Sequence, residues 1–169
     1  MNAVINGLSI RFFKARDAES CFKIRSAAFT REFYRELGAR ATSAGVNAFM
    51  PEDYVRMAKK SPFFVAEDSG GVIGFITIER RNKQVAEIAL IYVDRKQLGK
   101  QIGQTLIKHI EQWVIANWPE VTSLIVDTVI PQYNSGFYKK VGFVPAGHAV
   151  CDFPDLQLPA LRLEKKLKP

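Results

Sequence analysis

A nine-residue run, Val85–Val93 (VAEIALIYV), is apolar at odd and even positions alike and carries one charge, Glu87. Successive side chains of a strand point to opposite faces, so a strand apolar on both must be covered on both. This run therefore reads as the centre of a sheet with helices above and below. Residues 63–67 and 72–80 flank the turn Asp68-Ser69-Gly70-Gly71 as a hairpin, and Arg81-Asn82-Lys83 turns the chain into the central run. After it, residues 99–117 place Ile102, Leu106, Ile110, Trp113 and Val114 on one helical stripe that ends at Trp118-Pro119. The next apolar run, residues 122–126 (TSLIV), follows a helix, so it pairs parallel to the central strand through a right-handed crossover.

The remaining segments complete the layers. Residues 9–14 (SIRFFK) read as a strand, and Asp17 caps a helix to about Gly38 with Cys21, Phe22, Ala28, Phe29 and Phe33 on one face. Residues 39–50 show no clear period and read as a loop. Pro51 opens a short helix to about Lys60, and a last helix runs from about Tyr133 to Val141, stopped by Gly142. Residues 143–150 and 161–167 read as closing strands. The expected fold is α+β: a mixed, mostly antiparallel sheet of about six to seven strands flanked by four helices. With 169 residues and no linker or repeat, one domain over residues 9–167 is expected.

Charge excludes some functions. The formal net charge is +7, but residues 1–80 hold 12 basic and 9 acidic side chains and residues 81–169 hold 12 and 8. Nucleic-acid binders concentrate such an excess in a patch or arm, so no nucleic-acid partner is expected. The local exception is residues 95–110, with Arg95, Lys96, Lys100 and Lys108 and no acid. Charge-free stretches such as 128–138 and 141–151 are too short to cross a bilayer, and Met1 to Ile10 lacks the charged start of a secretory signal. Two cysteines, Cys21 and Cys151, make no disulfide scaffold, and a cytoplasmic setting is expected. No His, Cys, Asp and Glu cluster has metal-ligand spacing, so no metal is expected.

The junction after the central strand carries the chemistry. The first amides of a helix lack internal partners and its dipole is positive there, which suits a phosphate or pyrophosphate. Here the strand ends in Ile91-Tyr92-Val93, and the helix opens with Leu98-Gly99-Lys100-Gln101-Ile102-Gly103-Gln104. A helix start with glycines for turn geometry would look the same. Farther on stands Phe137-Tyr138-Lys139-Lys140-Val141-Gly142-Phe143. The two motifs, one strand apart, and the order of elements around them resemble the GNAT superfamily of acetyl-CoA-dependent N-acetyltransferases. Two positions depart from the family pattern: Leu98 stands where Gln or Arg is usual, and Gln101 replaces the first motif glycine, while Gly103 keeps the second.

The resemblance implies that pantetheine lies between the central strand and residues 122–126, paired with the backbone of Ile91, Tyr92 and Val93. It implies that pyrophosphate sits on the amides of Leu98 to Gln104. The amine of a small molecule or peptide would then attack acetyl-CoA directly in a ternary complex. The amine must lose a proton, the oxyanion needs backbone N–H donors, and the thiolate needs a proton. Glu87 is the candidate base, in the Ala-Glu-Ile context of some GNAT enzymes; partial burial would raise its pKa. A Glu paired with a Lys or Arg is the structural alternative. Tyr138 is the candidate acid, with a packing aromatic as its alternative. Asn134, four residues earlier, hydrogen-bonds pantetheine or starts the helix. His109, His148 and Cys151 are weaker candidates. For the acceptor, the resemblance points to Phe29, Phe33, Tyr34 and residues 39–50, with Glu32 and Glu36 as acidic hints. A non-catalytic acyl-CoA-binding or sensor domain on the same fold is the alternative function.

Overall fold

The computed structural model describes residues 3–5, 7–29, 31–130 and 134–167. One mixed sheet runs through them in the order β1-β2-β3-β4-β5-β6-β8-β7. The strands are β1 (Ala3–Ile5), β2 (Leu8–Phe12), β3 (Phe63–Asp68), β4 (Gly71–Arg80), β5 (Val85–Val93), β6 (Ser123–Val129), β7 (Val144–Phe153) and β8 (Leu156–Lys166). The helices are α1 (Ala18–Ser26), α2 (Arg31–Asn47), α3 (Pro51–Ala58), α4 (Ile102–Asn117) and α5 (Ser135–Lys140). β5 and β6 are parallel and every other neighbouring pair is antiparallel. The α+β fold with a mostly antiparallel sheet is as the sequence implies; short β1 and the division of the first helix raise the counts to eight strands and five helices. Tyr133, Lys168 and Pro169 lie outside the described residues, as do the side chains of Arg31 and Glu32.

The predicted faces of β5 are present. Ala86 and Ile88 pack on one side with Ile102, Leu106 and Ile110 of α4, joined there by Leu124, Val126 and Tyr138. Leu90 packs on the other side with Cys21 of α1 and Tyr54 of α3. The switch of face coincides with a register shift: Thr77 pairs with Leu90 but Ile78 with Ile88, leaving Ala89 as the extra residue of a bulge. A third cluster joins Phe29, Phe33 and Ala41 to Val129 and Leu158.

Several boundaries differ from expectation, three of them for reasons visible in the structure. The segment 39–50 is mostly helix: α2 continues to Asn47 across a break at Gly38, whose φ of 80° and ψ of 179° suit glycine. Its buried positions include Ala41 and Gly45, so the helical period is written in small residues. Gly45 has a reason to be small, since a Cβ there would lie 2.2 Å from the Phe29 ring. α4 starts at Ile102, not Gly99, because residues 95–97 form a separate 3-10 turn and Gln101 is left-handed. β8 starts at Leu156, ahead of Pro159. That proline sits beyond the last β6 pair, Val129 with Ala160, so it removes no ladder bond on that edge.

His109 is half-buried on α4, edge-on to Phe64 at 4.6 Å, with Nε2 buried and lacking a hydrogen-bond partner. Burial lowers its pKa from the ordinary 6.5. The unfolded chain therefore takes up its proton at higher pH than the folded one, so this contribution is complete above about pH 6.5 and declines as pH falls through the depressed folded pKa. Replacing His109→Leu should reduce the loss in urea midpoint between pH 7.5 and pH 5.5. An unchanged difference would show that His109 does not carry it.

Candidate active site

β5 and β6 stay together for three residues. Val85, Ala86 and Glu87 pair with Ser123, Leu124 and Ile125, and then the strands part. β5 keeps its ladder with β4 out to Val93, and β6 keeps its ladder with β8 out to Val129. The opening is thus a split in an otherwise continuous sheet, and the facing edges of residues 88–93 and 126–129 leave each other unpaired. Backbone N–H and C=O groups without partners favour a ligand that can hydrogen-bond like a strand. A cavity of about 1960 Å³ fills the split and reaches both faces of the sheet.

The start of α4 borders this cavity. Gln101, the N-cap, makes no side-chain cap bond, and the first turn holds no acid. The amides of Ile102, Gly103 and Gln104 donate to no described residue; the first helical bond is from the Thr105 amide to the Gln101 carbonyl at 3.0 Å. Three N–H groups at the positive end of a 16-residue helix are therefore unspent beside the split, an arrangement that fits an anionic phosphate. Gly99 has a φ of 83°, with open space where a Cβ would be. Gly103 has another constraint: a Cβ there would come 2.9 Å from the Phe137 ring, so this glycine lets α5 seat on α4.

Most predicted site residues meet at this cavity. Glu87, Ile91, Tyr92, Val93, Leu98, Gly99, Gln101, Ile102, Gly103, Gln104, Asn134 and Tyr138 all line it. Lys100 does not; it is exposed and its Nζ donates to Gln97 Oε1 at 2.8 Å. Tyr138 is 8 % exposed and packs between Phe137 and Phe143, with ring centroids 5.1 and 6.0 Å away. Asn134 caps α5, its Oδ1 accepting from the Phe137 amide at 3.0 Å. Glu87 accepts from Arg81 Nε at 2.5 Å. This hydrogen bond leads the causes that hold the Arg81 guanidinium above its ordinary pKa, against burial.

The side of the sheet away from α4 holds residues that the sequence reading missed. Asp127 accepts from Arg162 Nε at 2.8 Å and from Nη2 at 2.7 Å. Arg25 forms another part of the wall, beside Ala48 and Phe49 of the segment 39–50 expected around the acceptor. Asp127 is the acid just past the apolar run 122–126, a signal open to reading; Arg25 gave none, since arginines on amphipathic helices are ordinarily exposed. Of the residues expected around an acceptor, Phe33 lines the cavity, Phe29 is buried in the third cluster, and Tyr34 and Glu36 are exposed. Burial, then the charges of Asp127 and Glu87, push the Cys151 thiol up to about 11, which keeps it protonated at neutral pH. His148 lies three residues away on the same strand and so faces the opposite side. Among the described residues no three His, Cys, Asp or Glu side chains form a metal site.

Gln101 is the strained point. Its φ of 62° and ψ of 11° are left-handed, a region that penalises a side chain with a Cβ. Replacing Gln101→Gly should stabilise the protein by roughly 0.5–1 kcal/mol in urea unfolding. A loss of stability would mean that the Gln101 side chain holds the turn.

The comparisons agree with this geometry. A family model for the acetyltransferase (GNAT) domain matches residues 59–145, slightly more than half of the chain. No curated protein matches. A GCN5-related N-acetyltransferase from Rhodopseudomonas palustris superimposes with a TM-score of 0.79 at 19% identity, covering 98% of this chain and 99% of that one. The PaiA N-acetyltransferase of Thermoplasma acidophilum, solved with coenzyme A, gives 0.75 at 19% identity over 94% and 98%. Ard1 of Thermoplasma volcanium gives 0.71 at 22% identity over 96% and 99%. The split sheet and the helix start beside it lie largely within the matched segment, and the chain belongs to the GNAT acetyltransferase family.

Proposed function

We propose that the protein moves an acetyl group from acetyl-CoA to a primary amine of a small molecule or peptide by direct attack in a ternary complex. The observation that carries this reading is the split between β5 and β6 bordered by the three unspent amides of α4. Ile102, Gly103 and Gln104 would hold the pyrophosphate, and the exposed side chains of Arg95, Lys96 and Lys100 would screen its charge from nearby solvent. The backbone edge of Ile91, Tyr92 and Val93 would hold the pantetheine arm. Acetyl-CoA supplies an activated acyl group as a thioester. Two free cysteines and use of this donor fit a cytoplasmic setting.

The chain's own residues would divide the remaining work. Glu87 would take a proton from the acceptor ammonium, directly or through water, while Arg81 keeps its carboxylate in place. Unpaired amides of β5 would donate to the oxygen on which negative charge develops. Tyr138, held by Phe137 and Phe143, would donate its phenolic proton to the departing sulfur. Asn134 has its oxygen committed to the α5 amide, which leaves its NH2 group to contact the pantetheine arm.

A second reading, an acyl-CoA-binding or sensor domain without turnover, draws on Leu98, which is 63% exposed, and on the strained Gln101. One experiment separates the two. Coenzyme A should raise the melting temperature, and thiol should be released from acetyl-CoA in the presence of some primary amine. Binding without release across a broad amine panel would favour the sensor, and no shift with millimolar coenzyme A would remove both readings.

Two substitutions test the roles. Tyr138→Phe should lower kcat on the order of a hundredfold while leaving the affinity for coenzyme A nearly unchanged. Unaltered turnover would exclude Tyr138 as the acid. Glu87→Gln should reduce activity most at low pH, where free amine is scarce; a wild-type pH profile would leave Glu87 with a structural role only.

A further inference from the structure

Two arginines are buried among the described residues, Arg11 and Arg25. Arg11 is neutralised twice: it donates to Asp17 at 2.7 and 3.0 Å and to Glu67 at 2.6 Å. Arg25, only 2% exposed, meets no carboxylate among the described residues. Its Nη1 donates to the Gly45 carbonyl at 2.6 Å, and its Nε is buried without a hydrogen-bond partner. A guanidinium has five N–H donors, and a buried charge without a counter-charge is costly. Arg162 shows what the Nε and Nη2 edge does when an acid is present, since it grips Asp127 through both nitrogens. At Arg25 the same edge meets no acid.

Aromatic rings take the place of one. The rings of Phe29 and Phe49 lie 4.8 Å from the guanidinium carbon and that of Tyr92 lies 5.7 Å away. Such contacts, the Gly45 carbonyl and the nearby Tyr54 and Tyr92 hydroxyls recover part of the cost of burial, but none of them carries a negative charge and Nε still lacks an acceptor. The Tyr54 hydroxyl, buried and within reach of the guanidinium, is neutral and supplies no counter-charge. Arg25, Phe49 and Tyr92 line the cavity at the split, so the uncompensated cation borders a space that a small molecule can enter. Of the other arginines in that wall, Arg81 has Glu87 and Arg162 has Asp127, while Arg95 is exposed to water.

We infer that Arg25 is the anion receptor of the acceptor site and that the acceptor is an amine that also carries a carboxylate. This inference rests on the acetyl-transfer reading and adds the substrate class. A carboxylate reaching Arg25 supplies the missing counter-charge in a setting screened from water, where a charge-assisted pair is strong. The same molecule keeps its amine for the split. A polyamine instead brings further positive charge to a cation that already lacks a partner.

Matched acceptors test this. The common amino acids and their carboxamides are compared by thiol release from acetyl-CoA, and their N-acetylated forms are titrated calorimetrically into the protein saturated with coenzyme A. The expected result is a preference of at least about tenfold for carboxylate over amide in the best pair, in kcat/KM or in Kd. Arg25→Gln should abolish that preference, and Arg25→Lys should keep part of it. Amides equal to or better than carboxylates would overturn the assignment, as would a carboxylate preference that survives in a folded Arg25→Gln, or a panel in which no carboxylate reacts or binds. The wild-type comparison decides even where the variants fail to fold. Failure to bind coenzyme A overturns the acetyl-transfer reading and this inference together; normal coenzyme A binding with indifference to the carboxylate overturns the role of Arg25 alone.

Discussion

The site depends on how long two parallel strands can stay paired. β5 and β6 share a ladder over Val85–Glu87 and Ser123–Ile125 and then diverge, while each remains bonded to its other neighbour. The sheet survives because the split occupies one seam of seven. The core survives because α4 and α5 cover it on one side, with Leu106, Ile110 and Tyr138 in a single cluster. The bulge at Ala89 belongs to the same arrangement: it rotates the end of β5, so that Leu90 faces α1 and α3 whereas Ala86 and Ile88 face α4. The same divergence puts backbone polar groups, a helix start and two helix faces around one space.

Electrostatics differ between the two sides of that space. On the α4 side the attraction for anions comes mainly from backbone amides of the first turn, assisted by exposed lysine and arginine side chains that water screens. On the other side, Arg81 with Glu87 and Arg162 with Asp127 are paired and nearly neutral as groups. Arg25 is the exception, a cation boxed by rings. The net charge of +7 therefore says little about either substrate, because its position and pairing matter more than its sum.

Much of this was legible from the chain. β5 announced itself by apolar residues on both faces, α4 by its stripe from Ile102 to Val114, and α5 by its aromatic pair before Gly142. These signals survive because large apolar side chains set both the period and the packing. Helix α2 beyond Gly38 was not legible, because its inward face is built from Ala41 and Gly45 rather than Leu or Phe. Gly103 stood out only as the motif glycine that is kept, whereas the Phe137 ring gives it a packing reason. Gln101 looked like the loss of a motif glycine; the backbone keeps the left-handed turn, with a side chain placed where glycine fits more easily. Arg25 was invisible for a different reason. Its importance comes from the lack of a carboxylate partner, and the pairing of charges distant in sequence is decided by tertiary structure.

The central claim is that one cofactor occupies the split and the start of α4 together. Amide hydrogen exchange with and without coenzyme A tests it most directly. The account predicts that coenzyme A slows exchange in residues 88–93 and at Ile102, Gly103 and Gln104, and leaves the β7–β8 hairpin largely unchanged. Tight binding of coenzyme A with exchange at both of those segments unaltered would contradict it.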